Sequence, residues 1–169
     1  MLVLALGNDL LGDDAIGLLA ADQLEKVPLP NVKVVKSGLS GLYLVDLIEG
    51  FDDLVIVDSI VGEKPGNVTR LPMERIGTRI VPSAHYLGFP EALDLARRAG
   101  VNIPKRIEVV AMQIRDSQIL GEGVSADVMR GLPDLVQEVL RVAREWGYAT
   151  EDESVDAPPA KRIKVKKKR

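Results

Sequence analysis

The alternation of short apolar runs with segments of helical periodicity constrains the fold of this chain more than any other feature. Two runs, Leu2–Leu6 and Leu54–Val57, are continuously apolar, which is typical of strands buried on both faces of a parallel sheet. Two more strands are predicted over Val32–Val35 and Ile107–Met112, which are rich in β-branched residues. Gly66–Leu71 follows a Pro-Gly turn and is a candidate for an additional short strand.

Apolar residues at helical spacing lie between and after these runs. The most sustained set covers residues 132–146 and predicts a long amphipathic helix. Residues 16–27 have the same spacing, and Gly41–Ile48 and Pro90–Ala99 are shorter helical segments. Pro133 indicates that the last helix starts or kinks there, because proline lacks the N–H that a helix interior needs. The alternation predicts an α/β fold, a three-layer α/β/α sandwich around a mostly parallel sheet.

Composition removes several classes of protein. The chain has no cysteine, which excludes disulfide scaffolds, thiolate zinc sites and iron–sulfur sites, and its single histidine excludes a site with two imidazoles of its own. Aromatic residues make up only 4% of the chain, too few for a platform that stacks nucleic-acid bases. No apolar run approaches the length of a membrane helix, and the first residues lack the basic start of a secretion signal. We therefore expect a cytoplasmic protein without a membrane partner.

Charge and periodicity both change near Thr150. Residues 1–149 carry the apolar periodicity and an excess of acidic residues, and we expect them to form one domain. Residues 150–169 are first acidic and then strongly basic, and we expect them to form a disordered tail. The Lys/Arg-rich end could contact an acidic partner or nucleic acid electrostatically. A solubilising role is the simpler interpretation, and we do not expect a nucleic-acid partner.

The loop after the first strand reads Gly-Asn-Asp-Leu-Leu-Gly-Asp-Asp-Ala-Ile-Gly over residues 7–17. Its glycines do not have the spacing of a dinucleotide-binding loop. Gly7 and Gly12 have the spacing of phosphate-loop glycines, but Asp13 and Asp14 stand where that loop needs a lysine and a hydroxyl residue. Because two acidic side chains would repel phosphate, the loop suits a cation ligand or a helix cap.

Three polar side chains are expected at the carboxyl edge of the sheet, where open α/β sheets bind ligands: Asp14, Asp58 and His85. Each has a simpler interpretation when it is taken alone. Asp13 or Asp14 could have no role beyond capping a helix, and Asp58 could be a turn or cap residue. His85 could be an ordinary loop histidine. Together, two carboxylates and one imidazole would suit Ni, Mn, Fe or Zn and would leave coordination positions open.

The segment Gly7–Gly17 resembles the signature of the hydrogenase maturation endopeptidases, which remove the C-terminal extension of a NiFe-hydrogenase large subunit after nickel insertion. Later segments are similar to that family in the same order, and the likeness covers about residues 1–147. They are Ser37–Gly41, Val55–Asp58, Ser83–Gly88 and Gly123–Val128. The resemblance implies a mixed five-stranded sheet in which the short strand after the Pro-Gly turn is antiparallel to the others.

The resemblance also implies roles for particular residues. It implies an aspartyl-type endopeptidase with Asp14 and Asp58 as catalytic carboxylates. Asp14, Asp58 and His85 would contact nickel, and Gly38 and Gly41 would bind the substrate. The nickel would be carried by the partner, the precursor of the large subunit, and no other cofactor is implied. The basic tail has no counterpart in the family pattern.

Two other functions remain open on the sequence alone. The same cleft could belong to a metal-dependent small-molecule hydrolase, which would act on small substrates when divalent ions are added. The chain could also be a non-catalytic nickel-delivery or assembly factor, which would bind nickel or the precursor and release no product.

Overall fold

The computed structural model describes residues 1–73, 88–115, 120–121 and 123–149. Within these ranges the chain forms five strands, four α-helices and a short 3-10 helix. In chain order they are β1 (Leu2–Leu6), the 3-10 helix (Gly12–Ala15), α1 (Ile16–Leu24), β2 (Lys33–Ser37), α2 (Tyr43–Ile48), β3 (Asp53–Val61), β4 (Val68–Pro72), α3 (Phe89–Arg98), β5 (Arg106–Ile114) and α4 (Ala126–Glu145). His85 and the tail of residues 150–169 lie outside the described residues, so what the sequence predicts for them stays a prediction.

The five strands form one mixed sheet in the order β2-β1-β3-β5-β4. The first four are parallel, and β4 pairs antiparallel with β5. From β1 the chain moves through α1 to β2 on one side, and it later returns to β3 on the other side of β1. The carboxyl ends of β1 and β3 therefore flank the point where the strand order reverses, which is where open α/β sheets form a ligand crevice.

The core lies in two layers, one on each face of the sheet, and this confirms the predicted three-layer α/β/α sandwich. Alternate residues of the central strands contact opposite layers, as the pleat requires. Val3, Val55 and Val57 pack with α1 and α4. Leu54 and Ile56 pack with α2 and α3 on the other face. The near-continuous apolar sequence of β1 and β3 follows from this burial on both faces.

The third strand is longer than its apolar run predicts. The run ends at Val57, but β3 continues to Val61 because Asp58–Val61 pair residue by residue with Ala111–Ile114 of β5. Asp58 therefore lies inside a strand and is fully buried. The interpretation of Asp58 as a turn or cap residue is wrong.

Two helices have different ends from those predicted. The last helix, α4, begins at Ala126, so Pro133 lies inside it and the expectation that the helix starts at Pro133 is wrong. Pro133 is exposed on the side of the helix away from the sheet. The helix α1 ends at Leu24, before the last apolar residue of its pattern at Val27. No helix in the described part of the chain is long and apolar enough to cross a bilayer.

Candidate active site

Two adjacent polar residues of β3 lie near the strand-order reversal and are excluded from solvent. Asp58 is 0% exposed and Ser59 is 2% exposed. Their neighbours on both sides in the strand are apolar, so these are the first polar positions after a run of four buried hydrophobic residues. By the alternation of the strand, Asp58 shares the face of Leu54 and Ile56, toward α2 and α3, and Ser59 shares the opposite face, toward α1 and α4.

The loop after β1 folds tightly onto the carboxyl end of β1 and the middle of β3, and two of its glycines are required for this. A Cβ atom on Gly7 would lie 2.4 Å from the carbonyl oxygen of Asp14. A Cβ atom on Gly17 would lie 2.2 Å from the carbonyl oxygen of Leu6 and 2.9 Å from that of Val57. Any larger residue would push the loop or the start of α1 away from the sheet. Gly7 and Gly17 thus serve close backbone packing.

This packing brings Asp14 to Ser59. The Ser59 hydroxyl donates a hydrogen bond of 2.6 Å to Oδ1 of Asp14, although the two residues are 45 positions apart. The backbone N–H of Ser59 donates a hydrogen bond of 2.7 Å to Oδ1 of Asp58. One residue of the central strand thus holds both predicted carboxylates, and Asp14 is itself only 6% exposed.

The two neighbouring aspartates of the loop have different partners. Asp13 accepts hydrogen bonds from the backbone N–H of Ser125 at 2.6 Å and from its hydroxyl at 3.0 Å. Ser125 is the N-cap residue of α4, so Asp13 ties the 3-10 helix to the beginning of the last helix. Neither aspartate caps its own helix, since neither the 3-10 helix nor α1 has a side-chain cap bond. Capping therefore describes Asp13 in part, because Asp13 bonds to the N-cap residue of α4. Capping does not describe Asp14.

The two glycines predicted to bind substrate follow β2 at the same edge of the sheet. Gly38 is exposed, and a Cβ atom built on it would lie 3.5 Å from the carbonyl oxygen of Gly7. Gly41 is buried just before α2 and has a φ of 56°, which favours glycine. Their role toward a substrate stays a prediction.

The described residues supply two carboxylates to the candidate site but no third metal ligand. Among residues 1–73, 88–115, 120–121 and 123–149, no group of three or more His, Cys, Asp and Glu side chains is placed to hold a metal ion. The third ligand that the sequence predicts is His85, which lies outside these ranges. The oxygen atoms of Asp14 and Asp58 are the hard ligands that suit a divalent first-row metal.

Comparison with known proteins identifies the family. A family model described as hydrogenase maturation protease matches residues 18–142. The hydrogenase 2 maturation protease of Escherichia coli strain K12 is 32% identical over 153 residues, which cover 87% of this chain and 92% of that protein. The hydrogenase expression/formation protein HupD of Rhizobium leguminosarum is 30% identical over 168 residues, which cover 94% of this chain and 82% of that protein.

A solved structure agrees with these relatives. The hydrogenase maturating endopeptidase HybD from E. coli superposes with a TM-score of 0.74 at 32% sequence identity, over 86% of this chain and 93% of that chain. This chain belongs to the hydrogenase maturation protease family. It is accordingly a peptidase, which favours the first of the three functions that the sequence left open.

Sequence reasoning on this maturation protease found the carboxylates but missed the residue that joins them. Ser59 directly follows Asp58 in the sequence, yet a serine after an apolar run is also what a strand end would show. The pairing of Asp13 with Ser125, 112 positions apart, was also not predicted. The one available signal was the doubled acidic residue in the loop, which exceeds what a single cap needs.

Proposed function

We propose that this maturation protease removes the C-terminal extension of a NiFe-hydrogenase large-subunit precursor after nickel insertion, and that it recognises the nickel of the precursor through Asp14, Asp58 and His85. The observation that carries the proposal is the attachment of Asp14 and Asp58 to one buried residue, Ser59, in a member of this protease family. A location in the cytoplasm, expected from the sequence, is part of the same proposal.

Three features of the chain support this site. Asp14 and Asp58 come from different elements, and both bond to Ser59 near the point where the strand order reverses. Asp58 lies on the face of the sheet that is covered by α3, and His85 precedes the first residue of α3 by four positions. Curated relatives named as hydrogenase maturation or formation proteins align over nearly the whole of the described domain.

The proposed reaction is the hydrolysis of one peptide bond. The oxygen of a water molecule attacks the scissile carbonyl carbon, the C–N bond breaks, and a proton passes from the water to the leaving nitrogen. An ionised carboxylate within reach of that water can accept the proton and return it. In our proposal Asp14 and Asp58 provide this carboxylate, and the same residues with His85 contact the nickel that the precursor carries. Cleavage then depends on nickel because the precursor without nickel lacks this anchor.

The test is mass spectrometry of a purified large-subunit precursor, with and without nickel, before and after incubation with this protein. We expect the nickel-loaded precursor to lose its C-terminal peptide and the nickel-free precursor to remain intact. Asp14→Asn and Asp58→Asn keep the shape of the side chain but remove its charge, and we expect each to lower the cleavage rate about 100-fold or more. His85→Ala should have a similar effect because it removes the only imidazole of the chain.

Asp9→Asn is the matched control, since Asp9 is an exposed residue of the same loop. It should cleave at the rate of the unmodified protein. Cleavage that is independent of nickel, or full activity in the Asp14 and Asp58 variants with an intact fold, would refute the nickel-reading site. An intact precursor after prolonged incubation with the unmodified protein would contradict the proposed substrate itself.

A further inference from the structure

Ser59 is a buried polar residue of the candidate site that the proposed chemistry does not use. It is 2% exposed, lies on the central strand β3 and is paired there with Met112 of β5. Burial of a hydroxyl group is unfavourable unless it forms a hydrogen bond, and the Ser59 hydroxyl forms its bond with Oδ1 of Asp14. A hydrogen bond to an ionised acceptor is about twice as strong as one between neutral groups.

The two carboxylates are carried by elements of unequal regularity. Asp58 belongs to β3, so the backbone pairing of the sheet fixes its position. Asp14 belongs to the four-residue 3-10 helix, which follows a loop and has no side-chain cap. The Ser59 hydroxyl connects this less regular element to the central strand, at a side chain whose own backbone N–H bonds to Asp58.

We infer that Ser59 is a positioning residue, which sets the Asp14 carboxylate relative to Asp58 so that the two bind one divalent metal ion together. This inference rests on the proposed function for its metal but concerns a residue that the proposed chemistry leaves aside. Groups that orient metal ligands from behind typically change metal affinity by about 10- to 100-fold when they are removed.

The experiment uses the full chain with three substitutions. Ser59→Ala removes the hydroxyl and keeps the N–H that bonds to Asp58, and Ser59→Thr restores a hydroxyl at the same position. Ser125→Ala is the matched control, because it removes a hydroxyl bond to the adjacent aspartate, Asp13. Three quantities are measured for each protein: the affinity for aqueous Ni²⁺ by titration calorimetry, the unfolding temperature, and the single-turnover rate on nickel-loaded precursor.

We expect Ser59→Ala to bind Ni²⁺ about 10-fold or more weakly and to cleave more slowly, and we expect Ser59→Thr to recover most of both. Ser125→Ala should keep the Ni²⁺ affinity of the unmodified protein. A purely structural role for Ser59 predicts a lower unfolding temperature with unchanged Ni²⁺ affinity and cleavage rate, and that result would overturn the inference.

The remaining outcomes also test the role of Ser59. If the unmodified protein binds Ni²⁺ but does not cleave the precursor, the proposed substrate is wrong. The role of Ser59 is then tested by the Ni²⁺ affinity of the variants alone. If it cleaves but does not bind aqueous Ni²⁺, Ser59 is judged on the single-turnover rate. If it does neither, no shared metal site exists for Ser59 to organise, and the inference falls together with the proposed function.

Discussion

Asp53, at the opposite end of β3 from the candidate site, combines several interactions. Arg106 donates two hydrogen bonds of 2.5 Å to its carboxylate, and the Tyr148 hydroxyl donates a third at 2.7 Å. The Arg106 guanidinium also stacks on the ring of Trp146, 4.8 Å from its centre. Asp53 is only 4% exposed, so these partners compensate for the loss of water around its charge.

These contacts make the stability of the protein depend on pH through Asp53. The hydrogen bonds from Arg106 lower the pKa of Asp53 below its ordinary value of 3.8, burial opposes this, and Tyr148 adds to the lowering. The unfolded chain therefore binds more protons than the folded chain as the pH falls. The stabilisation is fully present above the unfolded pKa and is lost as the pH falls through the lower, folded pKa.

We expect Asp53→Asn to lower the free energy of unfolding by about 1–2 kcal/mol at pH 7, a modest value because Arg106 is half exposed and water screens the pair. The difference from the unmodified protein should shrink as the pH is lowered from about 5 toward 3. Urea unfolding at several pH values measures this, with Asp52→Asn, an exposed neighbour, as the control. A difference that stays constant across this range would contradict the assignment.

At the scale of elements, the contact of the first turn of α1 with the end of β1 and the middle of β3 positions the candidate site. Gly17 lies against the carbonyl oxygens of Leu6 in β1 and Val57 in β3, with no room for a side chain. A Cβ atom there would force α1 away from the sheet and move the 3-10 helix that carries Asp14. Excess volume in a packed core typically costs about 1–3 kcal/mol.

We therefore expect Gly17→Ala to lower the free energy of unfolding by about 2 kcal/mol, measured by urea denaturation. Gly123→Ala is the control, because a Cβ atom built on Gly123 meets no neighbour within 4 Å and its φ does not require glycine. It should leave stability unchanged or raise it slightly, since alanine restricts the unfolded chain. Equal midpoints for the two variants would show that α1 can move away from the strands at little cost.

The bounds of an element were predictable where the local sequence pattern agrees with the packing of the whole domain. They were less predictable where pairing with a distant strand determines where the element ends. The buried strand β1 has the predicted bounds, since its five apolar residues fit burial on both faces. The end of β3 was not predictable, because Asp58 and Ser59 look like a strand end until the partner residues of β5 are known. The same applies to the site, where the approach of Asp14 to Ser59 depends on a chain reversal that no local pattern encodes.

At the scale of the whole molecule, the hydrogen-bond network of Asp53 and the candidate site lie toward opposite edges of the sheet. Asp53 begins β3 at the amino edge and is joined there to residues that follow α4, whereas Asp58 lies about 17 Å further along the same strand. The amino-edge network closes the domain by fixing its last described residues onto its central strand. Toward the carboxyl edge, the loop after β1 brings Asp14 to Ser59 beside Asp58, which is where open α/β sheets bind ligands.

The last two described residues contact the rest of the domain, and this bears on whether the tail contributes to stability. The Tyr148 hydroxyl bonds to Asp53, and Ala149 packs against the core on the α1–α4 face. Residues 150–169 follow this closure, and their sequence predicts a disordered segment without apolar residues at regular spacing. A chain that ends at Thr150 therefore retains every contact that the described residues make with one another.

We expect that truncated chain to unfold at the temperature of the full chain, within about 1 °C, and to bind the precursor with the same affinity at low and at high salt. Calorimetric melting and binding measurements at two ionic strengths provide the test. A second variant with glutamine in place of the seven lysine and arginine residues of 161–169 separates charge from length. Attraction between a basic tail and an acidic partner is strongest at low salt, because screening weakens it as ions are added. A loss of affinity confined to low salt, and shared by both variants, would show instead that the tail recruits its partner by charge.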